Sequence, residues 1–108
     1  MSYELKLNCK GFEKYLIARG SRSDGVLYIF RFDNNYGASV VKFTGTYGYI
    51  LDLWELAVIY FDEDGDYKIT CDTPIADDVI GWLTDDEVRS YLDKIIKLPN
   101  RVLVLDSH

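Results

Sequence analysis

Three alternating aspartates, Asp62, Asp64 and Asp66, have a spacing that could bind a metal ion. Carboxylates two residues apart occur in the calcium loops of EF-hand proteins. A loop of that kind starting at Asp62 would need glycine at its sixth position and glutamate at its twelfth. Gly65 is instead the fourth residue and Thr73 the twelfth. We therefore interpret the segment as the solvated tip of a β-hairpin and expect no metal there.

Adjacent carboxylates could also carry out acid–base chemistry. Asp77 lies next to Asp78, and Asp85 lies next to Asp86. A structural role explains both pairs, because an aspartate at the start of a helix caps free amide groups and favours the positive end of the helix dipole. A glycosidase would need two carboxylates facing each other across a cleft, and a sequence does not display a cleft.

The sequence contains no evident pair of a nucleophile and a base. The single histidine, His108, is the last residue of the sequence, a position that is usually frayed. Cys9, Cys71 and this histidine do not supply a tetrahedral zinc site, and no glycine-rich phosphate loop is present. We expect a protein that is not an enzyme, binds no cofactor and keeps both thiols reduced.

Alternating apolar residues and turn residues predict strands over the first three-fifths of the chain. In one strand the alternation places four side chains on a single face: Val26, Tyr28, Phe30 and Phe32. Residues 44–52 are predicted to form a loop with two tyrosines between and after its glycines. The predicted strands cover residues 3–7, 12–19, 26–32, 38–43, 53–61 and 67–71.

The C-terminal part has the period of a helix. Thr84 and Glu87 have the spacing of a capping box, in which each side chain bonds a free amide of the other residue. An apolar stripe at helical spacing follows, and Pro99 ends the helix. The stripe consists of Val88, Tyr91, Leu92, Ile95 and Ile96. A short helical turn over residues 77–83, capped by Asp77, is a further expectation.

These elements predict one α+β domain over residues 1–108. An antiparallel sheet of about five strands, a hairpin meander within about residues 3–71, precedes one amphipathic helix at about residues 85–97. The helix is expected to cover one face of the sheet. Residues 99–108 are expected to form a C-terminal tail.

The net charge of -6 is unevenly distributed along the chain. Residues 1–54 hold seven Lys+Arg and five Asp+Glu, whereas residues 55–108 hold five and thirteen. This balance disfavours direct nucleic-acid binding, which requires a basic surface. No apolar run approaches the length that crosses a bilayer, and the N-terminus lacks the pattern of a signal peptide. We expect a cytoplasmic protein that does not bind membranes.

An acidic stretch of this density would attract a basic surface on a partner protein, including a nucleic-acid-binding site. The alternative is a solvated surface with helix caps. The candidate acidic residues are Asp62, Glu63, Asp64, Asp66, Asp77, Asp78, Asp85 and Asp86. Aromatic side chains in loops are a second candidate for protein binding, here Tyr36, Tyr47 and Tyr49.

Three segments of the sequence resemble a group of short proteins of tailed phages and prophages of Gram-positive bacteria. They are residues 35–42 (NYGASVVK), 52–58 (DLWELAV) and 71–88 (CDTPIADDVIGWLTDDEV). With the helix, the resemblance extends over roughly residues 26–98. It implies a phage accessory protein in a bacterial cytoplasm and assigns no catalytic or binding residue.

Small acidic phage proteins often block a host machine, and the resemblance therefore favours an inhibitor of a host or antiphage-defence protein, in the manner of an anti-CRISPR protein. A structural or assembly protein that self-associates is the alternative, and a small enzyme is a third. A homodimer is left open by the sequence.

Overall fold

The computed structural model describes residues 7–22, 25–43, 53–70, 73, 75 and 79–99. These residues form a short 3-10 helix, six β-strands and one α-helix. In chain order they are the 3-10 helix Glu13–Tyr15, β1 (Leu16–Arg22), β2 (Gly25–Arg31), β3 (Tyr36–Phe43), β4 (Trp54–Phe61), β5 (Tyr67–Ile69), β6 (Ile80–Leu83) and α1 (Asp85–Ile96).

The strands form one antiparallel sheet. Strands β1 to β5 follow one another across the sheet in chain order, and β6 joins it by pairing with β4. The single α-helix comes last. This architecture confirms the predicted α+β fold, an antiparallel meander followed by one C-terminal helix.

Strands β5 and β6 share one edge of β4, because β3 occupies its other edge. Tyr67 of β5 lies opposite Phe61, at the C-terminal end of β4. Leu83 of β6 lies opposite Trp54, at the N-terminal end of β4. Both strands run antiparallel to β4, so they follow each other along a single line.

The main core lies between the sheet and α1. The helix contributes Val88, Leu92 and Ile95, all fully buried, as the apolar stripe predicted. The sheet contributes the four side chains predicted to share a face of β2, which belong to the same cluster, together with residues from β3 and β4. The predicted packing of the helix on one face of the sheet is therefore present.

The opposite face of the sheet is also apolar. Ile29, Ile59 and Phe61 form a second buried cluster, and the half-buried Leu27 packs against it. The side chain of Phe61 reaches this cluster over Gly37, where a β-carbon would lie 2.8 Å from the ring. Gly37 is therefore a position where the packing requires the absence of a side chain.

The N-terminus of α1 has the predicted capping box. The Thr84 hydroxyl accepts from the amide of Glu87 at 3.2 Å, and the Glu87 carboxylate accepts from the amide of Thr84 at 2.9 Å. Both free amides are thereby satisfied, which fixes where the helix begins.

The C-terminus of α1 is held by Asn34, a buried residue in the turn between β2 and β3. Its Nδ2 donates to the carbonyl oxygens of Ile95 at 2.8 Å and Leu98 at 3.0 Å. Its Oδ1 accepts from the amide of Tyr36 at 3.0 Å. One side chain therefore joins the end of the helix to the start of β3.

The first described strand starts later than predicted, at Leu16 rather than Phe12. A 3-10 turn precedes it, and such a turn aligns side chains three residues apart. Phe12 and Tyr15 accordingly both contact Phe32, with ring centroids 6.5 Å and 5.0 Å away. Continuous strand would have pointed these two rings to opposite faces.

Residues 80–83 form strand β6 and not the predicted helical turn. Pairing with β4 brings Ile80 and Leu83 to the main core. The burial of these two side chains outweighs the local sequence preference for a helical turn. The register shifts within β6, and Trp82 takes up the shift with a left-handed backbone of φ 68. The predicted strand at residues 3–7, the loop at 44–52, the Asp77 cap and the tail beyond residue 99 lie wholly or mostly outside the described residues.

Candidate functional site

The β4–β5 turn forms a compact acidic tip, defined here as Asp62, Glu63, Asp64 and Asp66. The Asp62 Oδ1 atom accepts from the amides of Asp64 at 2.9 Å and Asp66 at 3.1 Å. Gly65 closes the turn with a φ of 86, which glycine adopts without strain. The turn is thus held by the first of its own carboxylates.

The outward carboxylates of the tip are concentrated in a small volume. One ligand atom from each of Asp62, Asp64 and Asp66 lies within 4.8 Å of the others. Glu63, Asp64 and Asp66 are exposed, and Asp62 is half-buried. The spacing would also suit a cation, but exposed carboxylates that complete a turn need none. What the geometry provides is a small, strongly negative projection that favours ammonium and guanidinium groups.

Strand β5 continues directly from the tip and exposes apolar side chains. Tyr67 is 44% exposed and Ile69 is 55% exposed. Their cross-strand partners are Phe61 and Ile59, so both lie on the face of the second cluster. The Tyr67 ring rests against Phe61 with centroids 5.7 Å apart. The tip therefore adjoins a partly exposed apolar surface.

Further exposed apolar side chains lie along the β5–β6 line. Of the five large hydrophobic side chains that are exposed among the described residues, four lie in β5, in β6 or next to β6. They are Tyr67, Ile69, Val79 and Trp82, whereas Ile17 lies on the opposite edge in β1. The acidic tip and these four residues are named the β5–β6 edge below. The β5–β6 edge runs along β4, a strand of eight residues that is roughly 24 Å long.

Asp85 has a structural role at the other end of the sheet. Its Oδ1 accepts from Trp54 Nε1 at 2.7 Å, and its Oδ2 accepts from the amide of Asn8 at 3.2 Å. Its neighbour Asp86 is exposed and forms an ion pair with Arg89. Arg89 also donates to the Asn8 carbonyl at 2.7 Å. These carboxylates tie the helix start to β4 and to the N-terminal segment.

The predicted acidic binding residues that the structure describes therefore form two separate groups. The tip follows Phe61 at one end of β4, and Asp85 contacts Trp54 at the other. Asp77, Asp78, Tyr47 and Tyr49 lie outside the described residues. Tyr36 begins β3 and packs, half-buried, against the main core. Of the predicted binding residues that the structure describes, it gathers the four tip residues into one turn and places Asp85, Asp86 and Tyr36 elsewhere.

A polar and aromatic cluster around Trp54 had no signal in the sequence. Lys42 is 3% exposed, and its Nζ lies 4.3 Å from the centre of the Trp54 ring. Tyr28 packs edge-on to the same ring with centroids 5.8 Å apart, and its hydroxyl accepts from Arg19 Nε at 3.0 Å. The cluster depends on strands that are distant in sequence. Its contacts stabilise this end of the core.

The chain matches no protein-family model, no curated protein and no solved structure. Among the described residues, no helix combines the length and the apolar character needed to cross a membrane. Cys9 is half-buried beside the main core, and Cys71 lies outside the described residues. The expectation that both thiols are reduced stays a prediction.

Proposed function

We propose that this protein is a non-enzymatic interaction protein that binds a basic surface of a partner protein through the β5–β6 edge. The proposal rests on one observation, that the acidic tip is continuous with the exposed side chains of β5. The carboxylates of Glu63, Asp64 and Asp66 lead directly into the exposed side chains of Tyr67 and Ile69. Carboxylates steer a basic partner and aromatic side chains anchor it, so one surface supplies both requirements of a specific interface.

Trp82 supports the same surface. Its side chain is 53% exposed while its backbone is left-handed, with φ 68. A bulky residue in this conformation costs roughly 1–3 kcal/mol. Burial of the indole in an interface would remove its apolar surface from water, and tryptophan is among the residues most enriched at interface hot spots.

The proposed partner is a host or antiphage-defence protein with a basic, nucleic-acid-binding surface, and the proposed location is the bacterial cytoplasm. The resemblance to short phage proteins and the acidic second half of the chain support this choice. In this role the tip would occupy a site that normally holds phosphates, as an anti-CRISPR-like inhibitor does.

A tip variant tests the proposal, and its design follows from the turn. Asp62 is left intact because it holds the turn, and Glu63→Lys/Asp64→Lys reverses two exposed carboxylates. The control Glu13→Lys/Asp93→Lys reverses the same amount of charge outside the β5–β6 edge, at two residues whose side chains make only local contacts. Each immobilised protein is incubated with lysate of a Gram-positive bacterium at low and at high salt, and bound proteins are quantified by mass spectrometry.

We expect the wild type and the control to retain the same partner at low salt and the tip variant to retain about tenfold less. High salt should reduce the wild-type signal, because exposed charges are screened. Equal retention by the tip variant and the control would contradict the proposal. Circular dichroism of both variants verifies that each is folded.

Self-association in a phage assembly is a second candidate function. The two outer strands of the described sheet favour it, because β1 exposes Ile17 and β5 exposes Ile69. An outer strand with exposed apolar side chains can pair with another chain. Light scattering distinguishes the two functions. A strict monomer at all concentrations would contradict assembly.

A further inference from the structure

We propose that β5 is a strand-pairing site, at which an extended basic segment of the partner protein adds to the sheet. This inference rests on the proposed function and specifies how the partner binds. Binding of this kind uses backbone hydrogen bonds for affinity and alternate side chains for specificity.

The backbone of β5 has groups directed away from the sheet. The Asp66 carbonyl accepts from the amide of Asp62 at 2.9 Å, and the Thr70 amide donates to the Val58 carbonyl at 2.9 Å. In an antiparallel pair, successive residues direct their backbone groups alternately towards and away from the neighbouring strand. The amides and carbonyls of Tyr67 and Ile69 therefore point outward.

This outer side is open within the part of the chain that the structure describes. There, β4 is the only strand that pairs with β5, and all three β5 residues are exposed. The strand carries Lys68 and has only three residues, features that limit pairing with arbitrary chains. A partner must therefore supply recognition beyond the backbone.

The side chains on and beside β5 define that recognition. Tyr67 and Ile69 are two residues apart on one face, so a pairing segment would place apolar residues at the same spacing. The tip lies immediately before Tyr67, so the same segment would carry arginine or lysine at the end that reaches Glu63 and Asp64. The occupant is thus an alternating apolar strand with a basic end.

A second copy of the chain matches this description less well. Two β5 strands paired antiparallel about their centres would place Lys68 opposite Lys68. Like charges directly opposite each other in a sheet are destabilising. The tip would also lack a basic segment to contact, because Lys68 is the only base between Asp62 and Glu87.

The test uses synthetic peptides in which valine and threonine alternate and an arginine pair stands at one end, made with the pair at either end. Hydrogen exchange of individual amides is measured by NMR with and without peptide. We expect one of the two peptides to slow exchange at Tyr67 and Ile69. A version methylated on the backbone nitrogens that face β5 should bind about tenfold weaker.

Two substitutions at one position provide the matched comparison. Ile69→Pro removes an amide that points away from β4, so the sheet pairing is retained. Ile69→Ala removes the side chain and keeps the amide. We expect the proline variant to bind the peptide about tenfold more weakly than the alanine variant. If the proline variant fails to fold, the methylated peptide still tests the backbone contribution on the wild type.

Several outcomes would overturn strand pairing: no protection at Tyr67 and Ile69 with either peptide, equal binding of the methylated peptide, or equal binding by the folded proline and alanine variants. Protection of these amides that rises with protein concentration in the absence of peptide would assign β5 to a second copy and also overturn the proposal. The proposed function fails separately, if Glu63→Lys/Asp64→Lys leaves capture from the lysate unchanged.

Discussion

Asn34 shows how much of this fold depends on one side chain. It is 5% exposed and satisfies backbone groups of the helix end and of Tyr36. The carbonyls at the end of a helix have no partner within the helix, so they need an external donor when they are buried. The sequence offers no sign of this role, because an asparagine in a turn is sufficiently explained by the turn itself.

Asn34→Asp removes the two donors of the side chain and keeps the oxygen that accepts from Tyr36. The variant loses the bonds to the helix carbonyls and places a negative charge at the negative end of the helix dipole. We expect unfolding in urea to show a loss of about 1–3 kcal/mol. Asn8→Asp is the control. Asn8 is exposed, and its side-chain oxygen accepts a hydrogen bond from the amide of Lys10, which aspartate can also accept. We expect this control to change the free energy of unfolding by less than about 0.5 kcal/mol. Equal stability of the two variants would show that the donors contribute nothing.

At the scale of elements, β2 and β4 are fitted closely around Gly37 of β3. A β-carbon at this position would collide with the Phe30 carbonyl oxygen and lie 2.8 Å from the Phe61 ring. Phe61 is 1% exposed and has no room to withdraw without opening the second cluster. The packing of these three strands therefore depends on glycine at this point.

We expect Gly37→Ala to destabilise the protein by about 1–3 kcal/mol, as overpacked sites do. Gly20→Ala is the matched control, since Gly20 also lies in a strand and a β-carbon added there would meet nothing within 4 Å. The control should be as stable as the wild type or slightly more so. Urea unfolding of both variants measures the difference, and equal stability would contradict close packing at Gly37.

Elements with local signals could be predicted from the sequence. The helix was predictable because its capping box and apolar stripe lie within a single short segment, Thr84 to Ile96. Strand β2 was predictable because its inward side chains alternate. Strand β6 was not, because its pairing with β4 and the left-handed backbone of Trp82 are tertiary features.

The candidate site likewise has one part that was predictable from the sequence and one part that was not. The acidic tip was predictable because its residues lie together in the chain and carry a turn signal. The apolar part of the β5–β6 edge was not, since Ile69 and Trp82 share an edge only when both strands pair with β4. The Trp54–Asp85 bond likewise required the fold, and it gives a predicted binding residue a structural role.

At the scale of the whole molecule, the acidic second half of the chain does not present one continuous acidic face among the described residues. Asp85 and Asp86 hold the helix start at one end of β4, and the tip projects at the other. Among the described residues, the exposed carboxylates of the tip are therefore separated along β4 from those at the helix start. This geometry suits a partner whose basic residues are also clustered, next to an apolar segment.

The most direct test of this account is the salt dependence of binding to the captured partner, measured by calorimetry for the wild type and for Glu63→Lys/Asp64→Lys. The account predicts that wild-type affinity falls steeply as salt rises, and that the tip variant binds about tenfold more weakly at low salt with a shallower salt dependence. Equal affinities and equal slopes for the two proteins would contradict the claim that the acidic tip binds the partner.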